Sequence, residues 1–122
     1  MKIHFLQVVI TLLCLLFLAS CGSGGTDSSL PPQAEAAIQN WAGIANQVID
    51  GTVSSMKAPL ADPFNTGMID EAWCVVLRQH YGSQQPIINN VIVKRQGSVW
   101  QLWAAYQGKG TFEAYGCTNH VE

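Results

Sequence analysis

Charged side chains are scarce in this chain. Lys and Arg number six and Asp and Glu number eight among 122 residues, so 11% of the chain is charged and the formal net charge is −2. Soluble domains average about 25% charged residues. A protein that binds nucleic acid needs a basic surface that neutralises phosphates, and a weakly acidic chain does not supply one. We therefore expect no nucleic-acid partner.

The motifs of common enzyme and metal sites are also lacking. The three histidines form no HExxH pattern, the four cysteines form no CxxC pair, and no serine lies in a GxSxG turn. The Gly-Lys-Gly segment at 108–110 lacks the GxxxxGK[ST] spacing of a phosphate loop. We expect no cofactor, no metal ion and no catalytic residue, and we predict that the chain is not an enzyme. A small hydrolase that uses His80 or His120 is the remaining enzymatic alternative.

The longest apolar run lies at the N-terminus. Residues 5–18 are apolar except for Gln7 and Thr11, and the basic Lys2 precedes them. Crossing a bilayer takes about 20 apolar residues, so this run is too short for a spanning helix. Its length and its basic flank are typical of a signal peptide.

The apolar run ends in Leu18-Ala19-Ser20-Cys21. This tetrapeptide resembles the lipobox of bacterial lipoproteins, which lipidation and cleavage enzymes read. The resemblance implies that residues 1–20 are a signal peptide and that Cys21 is acylated, with fatty acids such as palmitate, and anchors the mature chain in a membrane. An ordinary secretory signal followed by a chance cysteine, or an uncleaved anchor, is the alternative.

The residues after Cys21 bear on the location of the protein. Gram-negative lipoproteins that stay in the inner membrane carry Asp directly after the lipidated Cys, whereas Gly22 and Ser23 follow here. The resemblance therefore implies the outer membrane, with the domain facing the periplasm, or the outer face of the plasma membrane in a Gram-positive source. Residues 21–31 are rich in Gly and Ser and predict a flexible tether with a reach of roughly 17 Å.

Residues 32–122 are long enough for one small domain, and its first element is predicted to be a helix. Pro31 and Pro32 suit a first helical turn, and Asp50 and Gly51 are typical of an end. Apolar residues recur at steps of three and four: Ala34, Ala37, Ile38, Trp41, Ala45, Val48 and Ile49. The polar side carries no Lys or Arg, so we expect this helix to pack on a core and not on a membrane.

The C-terminal half predicts strands. Residues 52–67 contain three Pro or Gly and indicate a loop, whereas residues 87–95, 99–107 and 111–117 are rich in β-branched and aromatic residues and are separated by Gly-containing turns. Residues 68–81 fit an amphipathic helix or a strand over 72–81, and the strand is favoured by the Trp-Cys-Val-Val run. The expected fold is α+β, with an N-terminal helix packed on a three- to four-stranded antiparallel meander sheet.

The cysteine count predicts one disulfide. Cys14 lies in the signal peptide and Cys21 is the acylation site, so Cys74 and Cys117 remain, and two thiols in an exported domain usually pair. In a flat four-stranded meander they would lie about 14 Å apart, beyond the reach of a disulfide. Pairing therefore requires a strongly curled sheet, a C-terminal segment that turns back, or Cys74 on a helix that crosses the sheet. A catalytic or metal-binding thiol pair is the alternative.

The aromatic residues predict a binding surface. Trp100 and Trp103 are three residues apart and point to opposite faces of a regular strand. If the helix covers one face, the other exposes aromatic residues, and we take Trp100, Trp103, Tyr106 and Tyr115 as the candidate surface. A bulge or a second helix that buries them is the alternative. The predicted function is that of a lipid-anchored envelope module that binds another envelope protein through this sheet, or else of a periplasmic inhibitor or immunity-type protein that blocks a hydrolase.

Overall fold

The computed structural model describes residues 29–122, so the predicted signal peptide, Cys21 and most of the predicted tether lie outside the described residues. A helix, four consecutive strands and a short second helix follow one another: α1 (Pro32–Ile44), β1 (Gln47–Lys57), β2 (Glu71–Tyr81), β3 (Ile87–Gln96), β4 (Val99–Ala104) and α2 (Lys109–Ala114). The strands form one antiparallel sheet in the order β1-β2-β3-β4. The predicted α+β class, with a helix on an antiparallel meander, is confirmed.

Helix α1 begins as predicted and ends earlier. Pro32 occupies the first turn, and the buried Ala34, Ile38 and Ala42 recur every fourth residue on the side that faces the sheet. The helix ends at Ile44 because Asn46 adopts a left-handed conformation, with φ of 55°, and turns the chain into β1. The predicted extension of the helix to residue 49 is therefore wrong.

Strand β1 replaces the first half of the predicted loop over residues 52–67. Within residues 29–122 it is an edge strand that pairs only with β2, and its side chains are exposed or half-buried. Its register shifts between Ile49 and Gly51 and again between Thr52 and Ser54. Such irregularities disrupt the alternation of apolar and polar residues by which a strand is recognised in a sequence.

The ambiguity over residues 68–81 is resolved in favour of the strand. Strand β2 is central in the sheet, and residues 72–77 are all buried. Alternate side chains point to opposite faces, so Trp73, Val75 and Leu77 pack under α1 while Cys74 and Val76 point the other way. Both faces are covered, which explains why this strand has an uninterrupted apolar run.

The strand predicted over residues 111–117 is wrong, and strand β4 is shorter than the predicted 99–107. After β4 the chain turns at Tyr106, whose φ is 58°, and then forms α2. The buried Asn89 side chain fixes this turn, because its Oδ1 atom accepts a hydrogen bond of 2.7 Å from the Tyr106 amide. Phe112 and Tyr115, spaced as on a helix, are buried against the sheet.

The sheet therefore separates two small cores. We call the side under α1 the helix face and the opposite side the disulfide face. The helix face packs Ala34, Ile38, Trp73, Val75, Leu77, Val91 and Val93. The disulfide face packs Ala58, Ala72, Cys74, Val76, Ile92, Phe112, Tyr115 and Cys117. In the part of the chain that the structure describes, neither helix has the length and apolar character needed to span a bilayer.

The predicted Cys74–Cys117 disulfide is present, and the two Cα atoms lie 6.4 Å apart. Of the three geometries that permit this bond, the structure adopts the one in which the C-terminal residues turn back. Beyond the bond, Asn90 holds the tail through hydrogen bonds to the backbone of Val121, one of 2.6 Å from Asn90 Nδ2 to the carbonyl and one of 3.1 Å from the Val121 amide to Asn90 Oδ1.

The disulfide closes a sequence separation of 43 residues. We expect the Cys74→Ala/Cys117→Ala double variant to lose about 4 kcal/mol of unfolding free energy, since cross-linking a loop of this size restricts the unfolded chain by about that amount. Urea unfolding of the oxidised protein and of the double variant measures the difference. Equal midpoints for the two proteins would contradict a stabilising role of the bond.

Candidate binding site

The four aromatic residues predicted as a surface do not lie together. Trp100 is half-buried on the helix face, where it packs against the α1 core. Trp103 is on the disulfide face and is 59% exposed, and Tyr106 follows the end of β4 and is 60% exposed. Tyr115 is 1% exposed in the disulfide-face core, so its side chain is not part of the accessible surface. Trp103 is therefore the aromatic residue around which the site is built.

A buried cation lies beneath Trp103. Lys94 of β3 is on the disulfide face and is 3% exposed. Its Nζ atom lies 4.2 Å from the centroid of the Trp103 ring and 5.1 Å from that of the Tyr115 ring. Cation–π attraction of about 0.5–2 kcal/mol per contact compensates part of the lost hydration.

The Lys94 ammonium has N–H donors that no group of the described residues accepts. It carries three N–H groups, and the structure gives Nζ two aromatic contacts but no hydrogen bond to another group within residues 29–122. Burial lowers the pKa of Lys94, and the negative charge of Asp62 opposes that shift only in part. Nζ opens onto the pocket described below, so its N–H groups are available to a ligand there.

Asp62 belongs to the loop 58–70, which joins β1 to β2. Its Oδ1 atom accepts hydrogen bonds from the amide and the hydroxyl of Thr66, of 3.0 and 2.9 Å, and its Oδ2 atom accepts one of 2.7 Å from the Gly67 amide. The backbone hydrogen bond from Thr66 contributes most to a lowered pKa of Asp62. The carboxylate is thus used to hold the loop in shape, and no ion pair between it and Lys94 occurs among the described residues.

Tyr115, whose ring contacts the Lys94 ammonium, carries an unsatisfied hydroxyl. Its hydroxyl is buried and has no hydrogen-bond partner within the described chain. Burial raises the pKa of Tyr115, and the charge of Asp62 acts in the same direction, so the hydroxyl stays protonated at neutral pH. Phe64 of the loop 58–70 packs edge-on against this ring, with 6.0 Å between the centroids.

Lys94 and Trp103 line an open pocket of about 420 Å³. Its other walls include Ile69 at the end of the loop and Val99 and Gln101 of β4. Pockets that bind small ligands or single side chains of a partner have volumes of about 300–1,000 Å³ and combine apolar walls with a few polar groups. This pocket has that composition.

Exposed apolar side chains surround the pocket. Phe64, Met68, Val99 and Trp103 are 64%, 54%, 54% and 59% exposed, respectively. Phe64 contacts the ring of Tyr115, which itself contacts Lys94, and Met68 precedes the lining residue Ile69. We call these four residues together with Lys94 the Lys94 surface. Clustered exposed apolar residues around a polar centre are typical of protein interaction sites.

Of the two histidines that the structure describes, His80 and His120, neither forms part of this surface. His80 Nδ1 lies 2.8 Å from both carboxylate oxygens of Asp50, between β2 and β1. His120 Nε2 contacts the Gln107 carbonyl at 3.2 Å, and its ring packs on Phe112. Within residues 29–122, no group of three or more His, Cys, Asp and Glu side chains is placed to hold a metal ion.

Sequence reasoning missed Lys94, Asp62 and Phe64. A lysine near the end of a strand is normally exposed. The alternation along β3, however, places Lys94 on the same face as the apolar Ile92, and this is the sequence feature that indicates its burial. Asp62 and Phe64 lie in a loop without periodicity. Comparison of the chain with protein-family models, with curated proteins and with solved structures finds no significant match in any of the three. The geometry of the site is therefore the basis for the function proposed below.

We expect Lys94→Met to change the unfolding free energy by no more than about 1 kcal/mol, since the lost cation–π contacts and the relieved desolvation offset each other. Ile92→Ala is the matched control, because Ile92 is fully buried on the same face of β3. That variant is expected to lose about 2–5 kcal/mol. Urea unfolding at neutral pH measures both variants.

The pH dependence gives a second readout of the same variant. The pKa of Lys94 in the folded chain lies below the ordinary value of 10.5. The ordinary value applies to the unfolded chain, so at a pH between the two values the unfolded chain binds more protons than the folded chain. The free energy of unfolding therefore increases as the pH rises through that window. Lys94→Met lacks this gain. A loss in Lys94→Met as large as that in Ile92→Ala, at every pH, would show that Lys94 is a structural residue.

Proposed function

We propose that this chain is a lipid-anchored lipoprotein of the cell envelope whose folded domain binds another envelope protein through the Lys94 surface. The single observation that carries the proposal is the Lys94 ammonium, which has no hydrogen-bond acceptor within residues 29–122 and opens onto a pocket among exposed apolar and aromatic side chains. A partner that covers this cluster removes apolar area from water and supplies an acceptor.

The composition of the surface supports a protein partner. Interfaces concentrate their binding energy in a few residues, among which Trp is strongly enriched, and these residues lie near the centre of the contact. Trp103 is such a residue, since it is 59% exposed, lines the pocket and lies over the Lys94 ammonium. The two helices and the disulfide hold the strands that present it, so little ordering is required on binding.

The proposed membrane attachment sets where the partner is found. The lipobox resemblance places the lipid on Cys21, and the first described helix begins at Pro32. A tether of about ten residues has a mean reach of roughly 17 Å. The partner accordingly lies at the same membrane, which is the periplasmic side of the outer membrane in a Gram-negative source.

A second function, that of an inhibitor or immunity-type protein, uses the same surface. It is favoured by the loop 58–70, which the three hydrogen bonds to Asp62 hold in shape while Phe64 stays exposed. A preordered loop with an exposed aromatic tip suits insertion into an enzyme cleft. A one-to-one complex with a secreted hydrolase, with loss of the hydrolase activity, would distinguish this function from membership of a membrane assembly.

The lipid anchor is tested by Cys21→Ser. We expect the wild-type protein to incorporate labelled palmitate, whereas Cys21→Ser incorporates none. Equal palmitate labelling of the two proteins would contradict the assignment.

The surface is tested by Trp103→Ala in the tagged, membrane-attached protein. We expect the affinity for the captured partner to fall at least about 30-fold, because truncation of a central interface Trp costs 2 kcal/mol or more. Tyr81→Ala is the matched control, because Tyr81 is an aromatic residue that is 50% exposed but distant from Lys94. Ala72, which pairs with Lys94, lies near one end of β2, and Tyr81 lies at the other end. Quantitative co-purification with isotope-labelled envelope extracts measures both variants. Unchanged capture by Trp103→Ala, or an equal loss in Tyr81→Ala, would refute the proposed surface.

A further inference from the structure

We propose that the Lys94 pocket binds the side-chain carboxylate of an Asp or Glu in an extended segment of the partner, and that this segment lies along the open edge of β4. This inference rests on the proposed function and adds the chemistry of the ligand. Three observations carry it: the unfilled donors of Lys94, the charge balance of the pocket, and the position of the pocket next to a sheet edge.

The first observation is that Lys94 has no hydrogen-bond acceptor within residues 29–122. Its ammonium is held between the rings of Trp103 and Tyr115, which attract positive charge but accept no strong hydrogen bond. The ligand that completes this site is an anionic oxygen, because hydrogen bonds between an ammonium and a carboxylate are shorter and stronger than neutral ones. Binding of an anion also raises the pKa that burial has lowered, so the ammonium and its ligand stabilise each other.

The second observation concerns the charge of the ligand. Among the described residues that line the pocket, Lys94 is the only one that is charged, and Asp62 contributes negative charge nearby. The nearest other cation along the strand, Arg95, points to the opposite face, towards Trp100. Phosphate groups are usually bound by several cationic or bidentate donors. One ammonium that is partly balanced by a carboxylate suits a singly charged carboxylate.

The third observation concerns the source of that carboxylate. Strand β4 is the edge of the sheet and pairs only with β3 among the described residues. An extended peptide adds to such an edge through backbone hydrogen bonds and presents alternate side chains to each face. An added strand would lie about 10 Å from β3, two strand spacings away. Because Lys94 Nζ already lies over Trp103 of β4, a carboxylate from the added strand is within its reach.

The exposed residues of β4 fit this arrangement. Val99, Gln101 and Trp103 are all exposed, and all three line the pocket. They form the strip between Lys94 and the open edge. A peptide along β4 would therefore bury Val99 and Trp103 with its apolar side chains and place one acidic side chain over the pocket.

The test uses three strand-forming heptapeptides of alternating Thr and Val. The first has a central Glu and blocked termini, the second has Gln in place of that Glu, and the third has the Gln and a free C-terminal carboxylate. Binding to the full-length protein is followed by NMR shifts of the Trp103 indole and of the β4 amides. We expect the Glu peptide to bind at least about tenfold more tightly than both Gln peptides, since a charge-assisted hydrogen bond is lost in them.

The Lys94→Met variant completes the test. It is expected to bind the Glu and Gln peptides equally, so that the tenfold preference disappears. Equal binding of the two blocked peptides by the wild type, a preference that survives in Lys94→Met, or no binding of any peptide overturns the inference. Tighter binding of the peptide with the free C-terminus overturns the assignment to a side-chain carboxylate.

The partner-capture experiment separates the two proposals. If Trp103→Ala loses the partner while Lys94→Met retains it with unchanged affinity, the proposed function stands and the carboxylate inference fails. If Trp103→Ala also retains the partner, the proposed function itself fails. Loss of the partner in both variants, together with the peptide preference, supports both.

Discussion

The return of the C-terminal residues over the second face of the sheet is the constraint on which the rest of the molecule depends. A meander of four strands has two faces, and α1 covers only one. The segment after β4 covers the other with Phe112 and Tyr115, and the disulfide from Cys117 to Cys74 of the central strand β2 ties it in place. Without this cover the apolar residues of β2 and β3 on that side would face water. A chain of this size has little other apolar area with which to offset that loss.

The C-terminal segment does not cover Lys94 completely, and the uncovered part of this face is the candidate site. Tyr115 approaches the Lys94 ammonium from the C-terminal segment, and Trp103 approaches it from β4. Neither ring accepts a hydrogen bond from the ammonium, and the carboxylate of Asp62 is engaged by its own loop. Within residues 29–122, Lys94 Nζ therefore has no hydrogen-bond acceptor, and it opens onto the pocket. An anionic group of a partner is complementary to this position.

The sequence predicted those elements whose local pattern agrees with their final environment. Helix α1 has apolar residues at helical spacing. Strand β2 has an uninterrupted apolar run, and β3 has β-branched residues on both sides of Asn89 and Asn90, because both faces of these strands are buried. Strand β1 was missed, since an irregular edge strand that contains Gly, Thr and Ser has the pattern of a loop. The residues of α2 favour a strand locally, and burial of Phe112 and Tyr115 under the disulfide overrides that preference. Of the site, Trp103 was predicted, whereas Lys94, Asp62 and Phe64 meet only through the tertiary fold.

The most direct test of the account is site-specific photocrosslinking in living cells. A photoreactive phenylalanine analogue at Phe64, on the Lys94 surface, replaces an aromatic side chain of similar shape that is 64% exposed. The same analogue at Tyr81, which is 50% exposed at the opposite end of β2, serves as the control. The account predicts one dominant adduct of defined mass from position 64 and none of that mass from position 81. The same adduct from position 81, with none from position 64, would contradict it.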